Sequence, residues 1–286
     1  MADHTVELNT GARMPLLGLG TFRLRGAEEL RRCVDAALAA GYRGFDTAAV
    51  YGNEEELGRA LAELLPRHGL RRADVFVTSK LGPRDQGAGA AEACRRSVAR
   101  LGAGYLDLYL VHWPGTQGRP AGDPQNRQRR RESWEALEAE HRAGRLRAIG
   151  VSNYTPAHLR ELLAGCAVPP AVLQVELHPA LPQPELLALC GQAGVHLQAY
   201  SSLGGGQLLA HPVVREVAAA RGRAPAQVLL RWGLQRGAGV IPKSGQPARI
   251  AENARLFDFQ LGPEDMHRLG ALGSGTRYCW DPNTVA

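Results

Sequence analysis

A closed (β/α)8 barrel is the fold class that this 286-residue sequence predicts, and three observations carry it. Eight short strand-like apolar runs alternate with helix-like segments, which implies parallel strands joined by crossovers, and eight is the number that closes. No G-x-G-x-x-G occurs anywhere in the chain, so the turn that an open dinucleotide-binding sheet needs is missing. No linker rich in Pro, Gly or Ser divides the sequence, and residues 1–286 are expected to form a single domain.

The elements follow in order. "HTVELNTGARMP" places a Thr-Gly turn between two short extended pieces and predicts an N-terminal β-hairpin that covers the bottom of the barrel. The strand runs are "LLGLGT", "RGFDT", "DVFVTSK", "LDLYLVHW", "LRAIGVSN", "AVLQVEL", "VHLQAYSS" and "AGVIPKS". Between them lie the helix-like segments "AEELRRCVDAALAAG", "NEEELGRALAELLPRHG", "AGAAEACRRSVARLG", "RESWEALEAEHRAG", "TPAHLRELLAG", "PQPELLALCGQAG" and "PVVREVAAARG" with "APAQVLLRWGLQRG". Thr155 before Pro156 reads as an N-cap and first-turn proline, and Gly41 and Gly144 stand where a left-handed cap ends a helix. After "IPKS" come two more helical segments, "PARIAENARLF" and "GPEDMHRLGAL", and then an irregular C-terminal tail, "GSGTRYCWDPNTVA".

Composition narrows the function classes. With 44% hydrophobic and 22% charged residues the chain can bury a sizeable core. No apolar run approaches the roughly 18 residues of a membrane span, and the N-terminus lacks the basic and apolar regions of a secretory signal. A cytoplasmic protein with no membrane partner is expected. Five cysteines, widely spaced and without a C-x-x-C pair, predict neither a disulfide framework nor a metal site. The net charge of +6 raises nucleic acid as a partner. Its densest cluster, Arg127, Arg129, Arg130 and Arg131, reads instead as a solvated loop and helix start, so no nucleic acid is expected.

Polar residues close nearly every strand run. They are Asp46, Lys80, His112, Ser152 with Asn153, Tyr200 with Ser201, and Lys243 with Ser244, while Gln174 lies inside its run. In a barrel these ends converge on the C-terminal rim, where chemistry gathers. Asp46, Tyr51, Lys80 and His112 suit one acid–base device. A phenol with a pKa near 10 is a poor proton donor or acceptor at neutral pH, and an adjacent ammonium is expected to lower that pKa. An aspartate would hold the ammonium in place, and a histidine could donate to a substrate oxygen as charge develops there. Taken singly, Asp46 reads as a turn residue and Lys80 as a surface or imine-forming lysine.

The markers "LGLGTF", "GFDTAAVYGNEEELG", "TSK", "LDLYLVHWP", "IGVSN", "QVELHP", "AYSSLG" and "IPKSGQPARIAEN", in this order, resemble the aldo-keto reductase family along essentially the whole chain. The resemblance implies a mostly monomeric oxidoreductase that uses NADPH (NADP+), without metal, on a small-molecule carbonyl substrate. It implies Tyr51 as general acid, tuned by Lys80 and Asp46, with His112 orienting the carbonyl. Tyr200 would stack under the nicotinamide, and Ser152, Asn153 and Gln174 would hold its carboxamide. Thr21 and Phe22 would line the same mouth. Ser201, Leu203 and the following glycines would track the pyrophosphate. Lys243, Ser244 and Arg249 would take the 2′-phosphate, with Glu252 and Asn253 at the adenine. Phe22, Val50, Trp113 and Trp280 would form the substrate pocket.

Two departures bear on kinetics and shape. Ser202 stands where the family often has proline, and "AYSSLGGGQLL" runs quickly into a helix. A less enclosed cofactor and faster NADP+ release are expected. Leu177 stands where a tyrosine is common. Two rival functions remain at this level: a class I aldolase using Lys80, and an NADPH-binding protein with little turnover.

Overall fold

The structure, a computed structural model, describes residues 4–286, so Met1–Asp3 of the N-terminal stretch lie outside the described residues. The hairpin forms where the sequence places it. Strand β1 (Thr5–Glu7) pairs antiparallel with β2 (Arg13–Pro15), Val6 opposite Met14, and Gly11 takes φ 79° in the turn.

The alternation then runs β3 (Gly18–Gly20), α1 (Ala27–Ala39), β4 (Gly44–Asp46), α2 (Glu54–Arg67), β5 (Phe76–Leu81), α3 (Ala90–Leu101), β6 (Leu108–Val111), α4 (Gln125–Arg142), β7 (Ile149–Ser152) and α5 (Pro156–Gly165). It continues with β8 (Val172–Glu176), α6 (Pro184–Ala193), β9 (His196–Tyr200), α7 (Pro212–Arg221), α8 (Pro225–Gln235), β10 (Gly239–Val240), α9 (Pro247–Asn253) and α10 (Pro263–Gly270). Strands β3 to β10 form one parallel sheet in chain order. Its two ends meet at the Leu17–Val240 bridge, where Val240 N–H donates to Leu16 O at 2.8 Å. Eight parallel strands thus close into a barrel with helices outside.

Both strand faces are buried, which explains the near-continuous apolar runs. In β6, Tyr109 and Val111 join the core between barrel and helices, while Leu108 and Leu110 join a second cluster inside the barrel with Leu8 and Met14 of the hairpin region. The hairpin therefore plugs the bottom with apolar side chains, each contributing about 1.5–3 kcal/mol on full burial. The interior leaves no room at Gly150 of β7, where a Cβ would meet Val172 O at 2.4 Å. Thr155 caps α5 by accepting from His158 N–H at 3.3 Å, with Pro156 in the first turn.

One boundary differs from the sequence reading. Helix α4 begins at Gln125, so the whole run Arg127–Arg131 is helical rather than a loop leading into a helix start. Its arginines pair locally: Arg127 and Arg130 with Glu161, Arg129 with Glu132, and Arg131 with Glu135. Arg130 is buried and donates to Pro114 O at 3.1 Å and Ala286 O at 2.5 Å, which ties the end of the tail to the barrel. The Gly- and Pro-rich loop ahead of this run hid the helix start.

Candidate active site

The C-terminal ends of the strands bring the predicted residues together. Asp46 ends β4, Lys80 lies near the end of β5, and His112 follows β6. Tyr51 ends a short 3-10 turn, Ala49–Tyr51, which Gly52 terminates with φ 68°. Asn53 fixes this turn. Its Oδ1 accepts from Thr47 Oγ1 at 2.6 Å, and its Nδ2 donates to Thr21 O and Leu24 O at 3.0 and 3.2 Å.

Lys80 is completely buried, and Nζ has three acceptors. It donates to Asp46 Oδ1 at 2.5 Å, Thr47 O at 2.8 Å and Tyr51 Oη at 3.4 Å. Three donors therefore meet three acceptors, as a buried ammonium requires. The His112 ring stands edge-on to Tyr51 with centroids 5.7 Å apart, and Phe22 lies 5.0 Å from the same phenol ring.

The electrostatics correct one expectation. Burial, followed by the Asp46 carboxylate, raises the Tyr51 phenol well above its ordinary value instead of lowering it. Desolvation also pushes the Lys80 ammonium down, against the pull of Asp46. A buried phenol loses more by shedding its hydration than a neutralised lysine–aspartate pair returns. Tyr51 thus carries its proton at neutral pH. His112 is pushed down to about 3, by burial first and Lys80 second, so its imidazole is neutral. Its Nδ1 is buried with no partner among the described residues, which leaves Nε2 as the ring nitrogen available to the mouth.

Of the carboxamide candidates, Ser152 and Asn153 form a second bonded group with Tyr200, while Gln174 joins the first. Asn153, at φ 64°, donates through Nδ2 to His112 O at 2.9 Å and Ser152 Oγ at 3.1 Å, and accepts from Tyr200 Oη at 2.6 Å. Gln174 donates from Nε2 to Asp46 Oδ2 at 2.8 Å, so its amide nitrogen faces the acid–base group. Thr21 donates to Asp46 O at 2.9 Å. Ser201, at φ 50°, places Oγ 3.2 Å from Cys279 Sγ.

The nucleotide candidates lie on the segments that follow β9 and β10 and on α9. Lys243 follows β10 beside Gly20, Arg249 is exposed on α9, and neither pairs with a carboxylate among the described residues. Ser244 Oγ accepts from Gln246 N–H at 3.1 Å. Glu252 is half-buried and Asn253 buried on the same helix, and Leu203 packs against the core at the start of a 3-10 segment, Gly204–Ala210. Phe22, Val50 and Trp280 are the large hydrophobic side chains left exposed among the described residues, Trp280 at 70%. Trp113 is half-buried beside Gly115 and Val285 of the tail.

The family model described as the aldo/keto reductase family matches residues 16–273, most of the chain. This chain belongs to the aldo-keto reductase family. An aldo-keto reductase of Mycobacterium sp. (strain KMS) is 46% identical over 285 residues, covering 99% of this chain and 98% of that one. Glyoxal reductase of Bacillus subtilis (strain 168) is 42% identical over 282 residues, covering 98% and 97%. An aldo-keto reductase from a deep-sea metagenome library superposes with a TM-score of 0.90 at 36% identity, covering 98% of this chain and 99% of its own. A Bombyx mori aldo-keto reductase in complex with NADP superposes at 0.88 with 32% identity, covering 96% and 94%. The family is one of oxidoreductases that reduce carbonyl compounds.

Against this aldo-keto reductase frame, three polar residues at the mouth escaped the sequence reading. Asn53 follows Tyr51 by two residues and opens the helix-like segment "NEEELGRALAELLPRHG". Glu176, after "QV", is buried and accepts from Tyr278 N–H at 2.7 Å and Cys279 N–H at 3.3 Å, holding the tail over the rim. Gln198 is a polar residue inside the apolar run "VHLQAY", and that signal alone could have flagged it.

Proposed function

We propose that this chain is an NADPH-dependent reductase of small aldehydes and ketones, with Tyr51 as the proton donor. The observation that carries the reading is the Asp46–Lys80–Tyr51 chain of contacts: a buried, fully partnered ammonium behind a protonated phenol. The donor set after β10 fits a phosphorylated dinucleotide. Lys243 and Arg249 are exposed cations without carboxylate partners among the described residues, and guanidinium and ammonium groups suit a dianionic phosphate. Gly204, Gly205 and Gly206 hold positive φ, which exposes backbone where side chains would block approach. When bound, the nicotinamide supplies hydride from ring C4 to the carbonyl carbon.

The chain's own residues supply the rest. Tyr51 gives its proton to the carbonyl oxygen as negative charge develops there, and Lys80 stabilises the phenolate left behind. Neutral His112 donates a hydrogen bond to the same oxygen through Nε2. Asn153 holds Tyr200 by its hydroxyl, which fixes the ring that would support the nicotinamide. Phe22, Val50, Trp113 and Trp280 give an apolar wall suited to small carbonyl compounds. The glyoxal reductase relative and the neighbour in complex with NADP support the substrate class and the cofactor. The short connection from Tyr200 to Pro212 supports an open cofactor cleft and fast release.

An imine-forming aldolase is disfavoured because Lys80 Nζ donates all its hydrogens inside the protein and has no exposure. Consumption of NADPH with a panel of aldehydes, α-dicarbonyls and quinones tests the proposal. Turnover with several aldehydes, and slower turnover with NADH, is the expected result. No consumption with any carbonyl would leave the family's non-catalytic, cofactor-binding role as the better reading.

A further inference from the structure

We propose that Gln198 is a positioning residue that fixes which face of Gln174 a ligand meets. The two glutamines are opposite one another across β8 and β9, and both are buried. Gln174 Nε2 lies 2.8 Å from Asp46 Oδ2 and 2.8 Å from Gln198 Oε1. An ionised carboxylate only accepts, so the Gln174 group that faces Asp46 is its NH2. That nitrogen has two hydrogens, and the geometry gives one to Asp46 and the other to Gln198. The Gln174 Oε1 is the atom left over. Gln174 can therefore offer the mouth an acceptor and nothing else.

Ser152, opposite Gln174 across β7 and β8, has the complementary polarity. Its Oγ accepts from Asn153 Nδ2 at 3.1 Å, which leaves its hydroxyl hydrogen free to donate. A donor at Ser152 and an acceptor at Gln174 select one orientation of a primary carboxamide, with its oxygen toward Ser152 and its NH2 toward Gln174. Without Gln198 the second Gln174 hydrogen is a buried donor with no partner, a costly state that is relieved by turning the hydrogen toward the mouth. Gln174 would then present donor and acceptor alike, and the orientation would no longer be enforced. The same bonds hold Gln174 on Asp46, so Gln198 also steadies the carboxylate that anchors Lys80.

The inference rests on the nicotinamide reading above, and its test separates the two. Isothermal titration gives Kd for NADP+ and for its 3-acetylpyridine analogue, which keeps the ring carbonyl but has a methyl group in place of NH2. The wild-type protein should bind NADP+ about tenfold more tightly than the analogue, the scale of one well-placed hydrogen bond. In Gln198→Met, and in Gln198→Leu as a second variant, that ratio should fall to within about twofold while the analogue's Kd changes little. Gln174→Met should lose the ratio equally, and the double variant Gln174→Met/Gln198→Met should lose nothing further, because Gln198 acts through Gln174. An unchanged ratio in the folded Gln198 variants, or additive losses in the double variant, would overturn the proposal while leaving the cofactor reading intact. Failure of the wild-type protein to bind NADP+ would overturn both.

Discussion

The floor of the barrel mouth and its rim differ in how completely their atoms are partnered. On the floor, Asp46, Lys80, Asn53, Gln174 and Gln198 are all buried, and their hydrogen bonds join β4, β5, β8 and β9 into one network. On the rim, Phe22, Val50 and Trp280 expose apolar surface, and Lys243 and Arg249 carry charges without a carboxylate partner among the described residues. The difference separates two tasks. The group proposed to handle the proton is held by hydrogen bonds within the protein itself, which is what electrostatic preorganisation requires. The rim is left unsatisfied, and a cofactor or substrate can complete it.

Breaking the floor should do the most damage. Lys80→Met removes the cation from a buried pair and leaves Asp46 uncompensated, so stability should fall by about 3–5 kcal/mol. Turnover should fall at least about 10²-fold in the proposed mechanism, because Tyr51 loses the charge that stabilises its phenolate. Urea unfolding and steady-state kinetics check the two effects together. The rim should respond in binding alone. Arg249→Ala should weaken NADPH about 10–100-fold, as expected for a lost charge-assisted contact, and leave NADH and thermal stability nearly unchanged. Titrations with both cofactors measure it.

The smallest effect concerns pH, at the far end of the barrel from the mouth. His196 is pushed down to about 4 by burial, and its Nε2 has no partner among the described residues. Between about 4 and 6.5 the unfolded chain binds a proton that the folded chain does not, so this contribution is complete above pH 6.5 and is lost as pH falls. His196→Gln should therefore reduce the loss of unfolding free energy between pH 7 and pH 5 by about 1–2 kcal/mol. Denaturant titrations at the two pH values give the comparison.

Much of the fold was legible because its signals are local. Eight apolar runs between helical segments gave the strands, and Thr155-Pro156 and Gly41 gave helix ends. Asp46, Tyr51, Lys80 and His112 were legible as a set because strand ends in a barrel must converge. What sequence could not give was burial. The Tyr51 phenol is raised, against the expectation of a lowered value, because desolvation outweighs the nearby ammonium, and no spacing reports desolvation. The start of α4 was lost because charged residues after a Gly/Pro loop look solvated, whereas Arg130 is buried against Glu161 and the tail. Gln198 and Glu176 gained their meaning only when β8, β9 and the tail were brought together.

Tyr51→Phe tests the central claim most directly, because it removes one hydroxyl and leaves the ring beside Phe22 and His112. NADPH binding, followed by fluorescence, and turnover of a small aldehyde at saturating NADPH should be measured on the same preparations. The account predicts a Kd within about twofold of wild type and turnover lower by about 10²–10⁴-fold, the range of a general acid. A variant that binds NADPH and reduces the aldehyde at the wild-type rate would contradict it.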